Sequence, residues 1–226
     1  MPIEELQDAL LDLFDEQQQH FEIFSEGVEA YFRKDRVLDT SSSIHSIKRR
    51  IKNRDHLRDK IARKHTETDP LTPENFFLRV TDFAGVRVIH LFQNQFELIH
   101  SSIQRQLDRG DWCLHEKPKA YTWDPEARDY FEPFGLDVKV KESLYTSIHY
   151  VVRPRQDSNI SCEIQVRTLF EEIWGEVDHR LNYPVPTQVL ACKEQLRVLA
   201  RIVGAGSRLL DSIDRTAREG ETGPRR

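Results

Sequence analysis

Cys162-Glu163-Ile164-Gln165-Val166-Arg167-Thr168, running straight into Leu169-Phe170-Glu171-Glu172-Ile173-Trp174-Gly175-Glu176-Val177-Asp178-His179, is the stretch that decides how this chain is read. Side chains on a strand alternate between faces, so Glu163, Gln165 and Arg167 share one side while Ile164 and Val166 point to a core. A purely structural strand has little use for an acid, an amide and a base on one face. A site that holds metal ions and phosphates does. Past Thr168 the pattern turns helical.

Working outward, Gly85 to Phe92 reads as a strand rich in branched residues, followed by a helix with Phe96, Ile99, Ile103 and Leu107 on one face. Further strands are expected at Trp112–Leu114, Leu136–Val140, Ile148–Arg153 and Ser161–Val166. Lys117–Pro133, with three prolines and several aromatic and acidic residues, reads as a loop. Apolar residues from Ile3 to Phe32 recur at helical intervals, and Asp39 to Ser43 break the pattern. Ile44 to Lys52 fits helix or strand. Asn53 can cap a helix through Leu57, Ile61 and Lys64, and Thr72-Pro73 is a helix-start signal. Pro184-Val185-Pro186-Thr187 separates the helix after Thr168 from a last one reaching Ile213, and the tail from Ala217 to Arg226 should fray. Helices at both ends bracket a mixed sheet, which makes the class α+β, with the helices gathered mainly on one side.

The 226 residues suit one large domain or a core with helical extensions, and 38% hydrophobic with 31% charged residues suits a globule. A net charge of -5 argues against a broadly basic nucleic-acid module. The start lacks a basic and apolar leader and no apolar run is of membrane-spanning length, so the expected location is cytoplasmic, with no membrane partner. Cys113, Cys162 and Cys192 are read as free thiols, outside any disulfide framework or zinc site.

Three further blocks carry chemistry. In Val80-Thr81-Asp82-Phe83-Ala84-Gly85-Val86-Arg87 an acid stands at the entrance to a strand, and Gly85 allows a tight turn or close approach of a ligand. Asp82 and Glu163 together give two hard oxygen ligands, about what Mg²⁺ asks of a protein when substrate phosphates complete its shell. The cations Lys48, Arg49, Arg50, Lys52, Arg54, Arg58, Lys60, Arg63 and Lys64 cluster in an acidic chain, which favours an anion site over a solvated face. In Lys139 to His149, Tyr145 lies on a loop between strands where it could stack a nucleobase.

In order and spacing these blocks resemble the synthetase domain of the RelA/SpoT family, over about Ile44 to Tyr183. The resemblance implies a nucleotidyltransferase-like mixed sheet flanked by helices, divided as an N-terminal helical extension (1–40), the synthetase domain (41–184) and a C-terminal helix and tail (185–226). It implies a GTP pyrophosphokinase, a (p)ppGpp synthetase that moves the β,γ-pyrophosphate of ATP to the ribose 3′-hydroxyl of GDP or GTP, with Mg²⁺ as cofactor. By the same resemblance Asp82 and Glu163 are the metal-binding and catalytic acids. Arg50, Lys52, Lys60, Arg63 and Arg87 meet ATP and its phosphates. Lys141, Tyr145 and His149 meet the acceptor nucleotide. Gln165, Arg167 and His179 support the site. Related small synthetases assemble as homo-oligomers, and the broad apolar stripes of the outer helices agree with that.

The chain departs from the family pattern in the acceptor loop. Glu142, Ser143, Leu144 and Thr146 stand where proline, asparagine, glycine and arginine are expected, and His56 where serine is common. Two alternatives therefore stay open: a toxic relative acting on tRNA 3′ ends or adenosine nucleotides, and a non-catalytic nucleotide-binding regulator.

Overall fold

In the computed structural model, residues 2–183 and 185–222 are described, the side chains of 220–222 excepted. The helices are α1 (Ile3–Lys34), α2 (Arg36–Thr40), α3 (Arg54–Lys64), α4 (Phe76–Arg79), α5 (Phe96–Asp108), α6 (Pro125–Phe131), α7 (Leu169–Asn182) and α8 (Leu190–Thr222). The strands are β1 (Ser46–Ile51), β2 (Ala84–His90), β3 (Cys113–Leu114), β4 (Lys119–Thr122), β5 (Asp137–Val140), β6 (Ser147–Arg153) and β7 (Cys162–Thr168). They form one mixed sheet in the order β1-β2-β7-β6-β4-β5, with β3 on β6. β2 and β7 pair in parallel, as do β4 and β5, and the other pairings are antiparallel.

Strand alternation divides this sheet into an oily and a polar face. Val86, Val88, Ile148, Tyr150, Val152, Ile164 and Val166 are buried with Leu10, Phe14, Phe21 and Val28 of α1 and Phe96, Ile99 and Ile103 of α5. Helical spacing of those residues gives each helix one apolar stripe to lay on the sheet. The same alternation sorts the basic run of β1. Arg49 turns to α1, where Glu26 and Glu29 lie 3.0 and 3.2 Å away, while Lys48 and Arg50 belong to the polar face. A cluster of rings holds the entrance to β2. Phe83 lies 4.9 to 5.4 Å, centroid to centroid, from Phe14, Phe21, Phe76 and Phe77, which fixes the backbone beside Asp82.

Several expectations need correction. The ambiguous segment 44–52 resolves as β1, and Lys117–Pro133 contains β4 and α6 in place of a loop. Pro125 is the first residue of α6, capped by Asp124, whose carboxylate accepts from the Glu126 amide, so one proline read as a loop marker starts a helix. Thr72-Pro73 does not start a helix. Asn75 Oδ1 accepts from the Thr72 amide at 2.9 Å and its Nδ2 donates to the Pro70 carbonyl, closing a separate turn, and α4 begins at Phe76. The helices lie on both sides of the sheet: α1 and α5 cover the oily face, and Glu172 of α7 meets Lys48, Arg87 and Arg167 on the polar face. α8 continues through Ala217 to Thr222, and the last part of the expected frayed tail, 223–226, lies outside the described residues, as does Pro184. No described helix is long and apolar enough to cross a membrane.

Candidate active site

Register across four strands assembles the site. Lys48 of β1 pairs with Arg87 of β2, Arg87 with Gln165 of β7, and Gln165 with His149 of β6, placing four polar side chains in a row. Between this face and α7 lies a cleft of about 540 Å³. Arg50, Lys52, Arg63, Arg87, Tyr145, Gln165, Arg167 and His179, all expected at the site, line it. Gly85 sits between Arg50 and Glu163 in the register, and a Cβ there would lie 3.6 Å from the Glu163 carbonyl oxygen, an ordinary contact. Its φ is not positive and it lies within β2, so of the two uses open to it the tight turn is not the one made; glycine leaves bare backbone facing a small adjoining hollow.

The two acids are held in different ways. Asp82 Oδ2 accepts from Lys52 Nζ at 2.8 Å, and Lys60 Nζ lies 2.6 Å from Oδ1. Burial works to raise the Asp82 pKa, yet the Lys60 and Lys52 ammoniums hold it well below the usual carboxylate range. Burial above all, and then the nearby charges of Lys60 and Arg50, pull Lys52 down despite Asp82. Glu163 Oε1 accepts from His149 Nδ1 at 2.9 Å and Oε2 from Gln165 Nε2 at 2.6 Å. Burial and the charge of Asp82 act to raise its pKa, but His149 and Gln165 win and the carboxyl is lowered. Neither acid lines the cleft itself; each is bonded to a residue that does, Asp82 to Lys52 and Glu163 to Gln165.

Among the described residues no group of three or more His, Cys, Asp or Glu side chains could hold a metal by itself. Both carboxylate oxygens of Asp82 have an ammonium at ionic distance, Lys52 at Oδ2 and Lys60 at Oδ1. Such a carboxylate, with the second acid Glu163 near it, supplies hard oxygens of the kind that suit Mg²⁺ when phosphate oxygens complete its shell.

Glu172 and Glu176, which were quoted in the motif but given no role, organise the cationic wall. Glu172 is buried and lies 2.8 Å from Lys48, 3.0 Å from Arg87 and 2.9 Å from Arg167, and Glu176 lies 2.8 Å from Arg87. Burial alone would lower the Arg87 pKa, but Glu172 and Glu176 raise it. Arg87 Nε also donates to Gln165 Oε1 at 3.3 Å, so the wall connects to Glu163 through one amide. The signal was there to read: glutamates four apart follow the Thr168–Glu171 capping box, on the helix face that must cover the sheet.

At the Tyr145 end of the cleft, the Tyr145 hydroxyl donates to His149 Nε2 at 3.1 Å, a direction that follows from Nδ1 donating to Glu163. The Tyr145 ring is half-buried, with the Arg167 guanidinium 5.9 Å from its centroid and Trp174 at 6.5 Å. Lys141 does not line the cleft. Its ammonium stands 4.5 Å over the ring of Tyr121, an unforeseen residue packed edge-on to His149 at 5.0 Å. Leu144 has φ +61°, so the loop keeps the glycine-like bend without the glycine, at a cost of about 1–2 kcal/mol. Thr146 Oγ1 lies 3.2 Å from Thr122 Oγ1, buried and turned from the cleft. At the other mouth His179 stacks on Tyr183 at 4.7 Å, and His56 meets the same ring edge-on at 4.9 Å.

Comparison with known proteins identifies the family and the fold. Residues 49–188 match the family described as the region found in RelA / SpoT proteins. The GTP pyrophosphokinase YwaC of Bacillus subtilis (strain 168) is 24% identical over 146 residues, a match spanning 65% of this chain and 61% of that relative. A crystal structure of the small alarmone synthetase 1 from Bacillus subtilis superimposes with a TM-score of 0.65 at 21% identity, covering 94% of this chain and 100% of that one. The same Bacillus protein bound to its product pppGpp gives a TM-score of 0.60 at 22% identity, over 93% of this chain and 97% of that one. With a family match over more than half its length and the corresponding fold, the chain belongs to the RelA/SpoT family.

Proposed function

We propose that this protein is a (p)ppGpp synthetase of the small alarmone synthetase type, which transfers the β,γ-diphosphate of ATP to the ribose 3′-hydroxyl of GDP or GTP. The observation that carries the reading is the pair Asp82 and Glu163, each bonded to a residue that lines the cationic cleft, Lys52 and Gln165. The acceptor 3′-oxygen attacks the β-phosphorus, the bond from that phosphorus to the oxygen bridging to the α-phosphate breaks, and AMP leaves. Such a transfer needs charge neutralisation and in-line placement more than a covalent nucleophile. Arg50, Lys52, Lys60, Arg63 and Arg87 supply the cations. Glu163 takes the 3′-hydroxyl proton, with His149 and Tyr145 continuing the hydrogen-bonded path away from it. Mg²⁺, held by Asp82 and Glu163 with the nucleotide, would polarise the phosphorus centre.

The resting ion pairs suggest how the donor enters. Lys52 and Lys60 both sit on Asp82, so a free divalent cation meets a carboxylate already neutralised twice over. Phosphates of a bound ATP would offer the two lysines new partners, and Asp82, freed of them, would hold the cation that accompanies the nucleotide, so that every charge stays paired. Glu172 separately pairs the wall from Lys48 to Arg167.

Two broader features support the same reading. Val198, Ile202, Leu209 and Ile213 form an exposed stripe along α8, which supports self-association into a homo-oligomer. Nucleotide substrates support a cytoplasmic site of action. The altered loop keeps the second reading, transfer to an adenosine nucleotide or a tRNA 3′ end, in the test. Incubation with γ-labelled ATP, Mg²⁺ and each of GDP, GTP, GMP, ADP, ATP and deacylated tRNA should label GDP or GTP with stoichiometric release of AMP. Label on an adenosine nucleotide or tRNA alone selects the second reading, and label on none of them leaves a nucleotide-binding regulator.

A further inference from the structure

The two departures at positions 144 and 146 point to the same place. Leu144 and Thr146 both line a cavity of about 20 Å³, room for about one water, beside Trp174 of α7 and Ala200, Val203 and Gly204 of α8. Tyr145, between them, lines the cleft, its ring also packed toward Trp174. The loop is tied at its ends, by the Lys141 amide to the Thr122 carbonyl at 2.9 Å and by Thr146 to Thr122, but its tip is not: Glu142 and Ser143 are exposed, and the Leu144 amide reaches the Lys141 carbonyl only at 3.4 Å. Leu144 itself packs with Trp174, Ala200 and Val203, in a left-handed backbone conformation that an L-residue keeps only where its surroundings impose it. α8 is in turn tied down, with Trp174 Nε1 donating to the Leu196 carbonyl at 3.1 Å and Asp211 accepting from the Gln93 amide at 2.6 Å.

We propose that Leu144 is the positioning residue of the acceptor loop: seated in the seam between α7 and α8, it holds Tyr145 toward the cleft and makes acceptor affinity depend on α8. The inference deepens the reading that Tyr145 meets the acceptor, and rests on it. A glycine at this position keeps the backbone conformation at no steric cost but loses the anchor. The competent loop then becomes a minor fraction of the population, and acceptor affinity falls by that fraction.

The test is a pair of measurements on the full chain, Leu144→Gly, Leu144→Met and the α8 variant Val203→Ala against the parent. In steady-state kinetics with Mg-ATP and GDP, Leu144→Gly should raise the acceptor KM about tenfold and leave the ATP KM within about twofold. Leu144→Met should restore most of it, and Val203→Ala should shift the acceptor KM in the same direction as Leu144→Gly. Hydrogen exchange at amides 141–146, which needs no turnover, should accelerate about tenfold in Leu144→Gly and also rise in Val203→Ala. An unchanged acceptor KM, equal rises in both KM values, or unchanged loop exchange overturns the anchor. If Leu144→Gly does not fold, Val203→Ala decides by the same criteria. A parent protein that never uses GDP defeats the proposed function instead, and the exchange measurement still decides whether Leu144 holds the loop.

Discussion

The two ends of the cleft are held by different forces. At the proposed donor end, Arg50 and Arg87 stand on β1 and β2, Lys52 directly follows β1 and Lys60 is on α3, and carboxylates lie at ionic distance from Lys52, Lys60 and Arg87. At the acceptor end, the loop from Lys141 to Thr146 is shaped by apolar packing against two helices and by a strained leucine. Charge geometry survives small changes of shape because cations tolerate several placements around an anion. Packing geometry does not, because contacts are short-ranged. The donor end should therefore fail when charges are removed, and the acceptor end when volume is.

The largest effect expected is at the acids. Asp82→Asn or Glu163→Gln should reduce transfer by at least about 10²-fold with the fold retained by circular dichroism, and residual activity near the parent's would break the account of the donor end. Both carboxyls have lowered pKa values in the folded state, so the stability they contribute is complete above the ordinary carboxylate range and is lost as pH falls through their lowered values. The stability gap between parent and Asp82→Asn should accordingly close in acid, measured by urea denaturation from pH 7 downward.

Next comes the hub of the cationic wall. Glu172 is the shared partner of three cations, so Glu172→Gln should cost about 3 kcal/mol in chemical denaturation and raise the ATP KM more than the acceptor KM. A neutral change would mean that Arg87 and Arg167 are held by packing and that the contrast between the two ends is overstated. A smaller effect is expected of Tyr145→Phe, which removes only the hydroxyl bound to His149; kcat should fall by less than about tenfold with the ATP KM unchanged.

The smallest effect sits at the start of α7, beside the cavity that Leu144 lines. Burial pushes the Glu171 pKa up to about 7 from 4.5, against its capping bonds to Thr168 and the charge of Arg167, and Asp124 adds to the rise. The folded state therefore keeps a proton that the unfolded chain gives up, and stability falls as pH rises from about 4.5 to about 7. Glu171→Gln, which keeps the cap, should be the more stable protein at pH 8 by on the order of 1 kcal/mol and equal to the parent near pH 4. A pH-independent difference would contradict this.

The donor end was legible in the sequence because each residue's chemistry announces itself: strand alternation in Glu163-Ile164-Gln165-Val166-Arg167 and the cations from Arg50 to Arg63 needed no tertiary information to be grouped. The carboxylates that hold those cations were harder to see, since Glu172 and Glu176 acquire their meaning only when α7 is laid over the polar face. In the acceptor half, the pairing of β4 with β5 around α6 was hidden by prolines that serve as helix starts as well as loop markers. Likewise the bend at Leu144 is imposed by side chains of α8 more than fifty residues away, and local sequence carries no trace of that.

The central claim, two acids sharing one divalent cation that arrives with the donor nucleotide, is tested most directly by Mn²⁺ titration followed by electron paramagnetic resonance, with and without a non-hydrolysable ATP analogue. The account predicts weak Mn²⁺ binding to the free protein, tight binding with the analogue, its loss in Asp82→Asn, and weakening by at least about tenfold in Glu163→Gln. Equal Mn²⁺ affinity in the parent and both variants would contradict it.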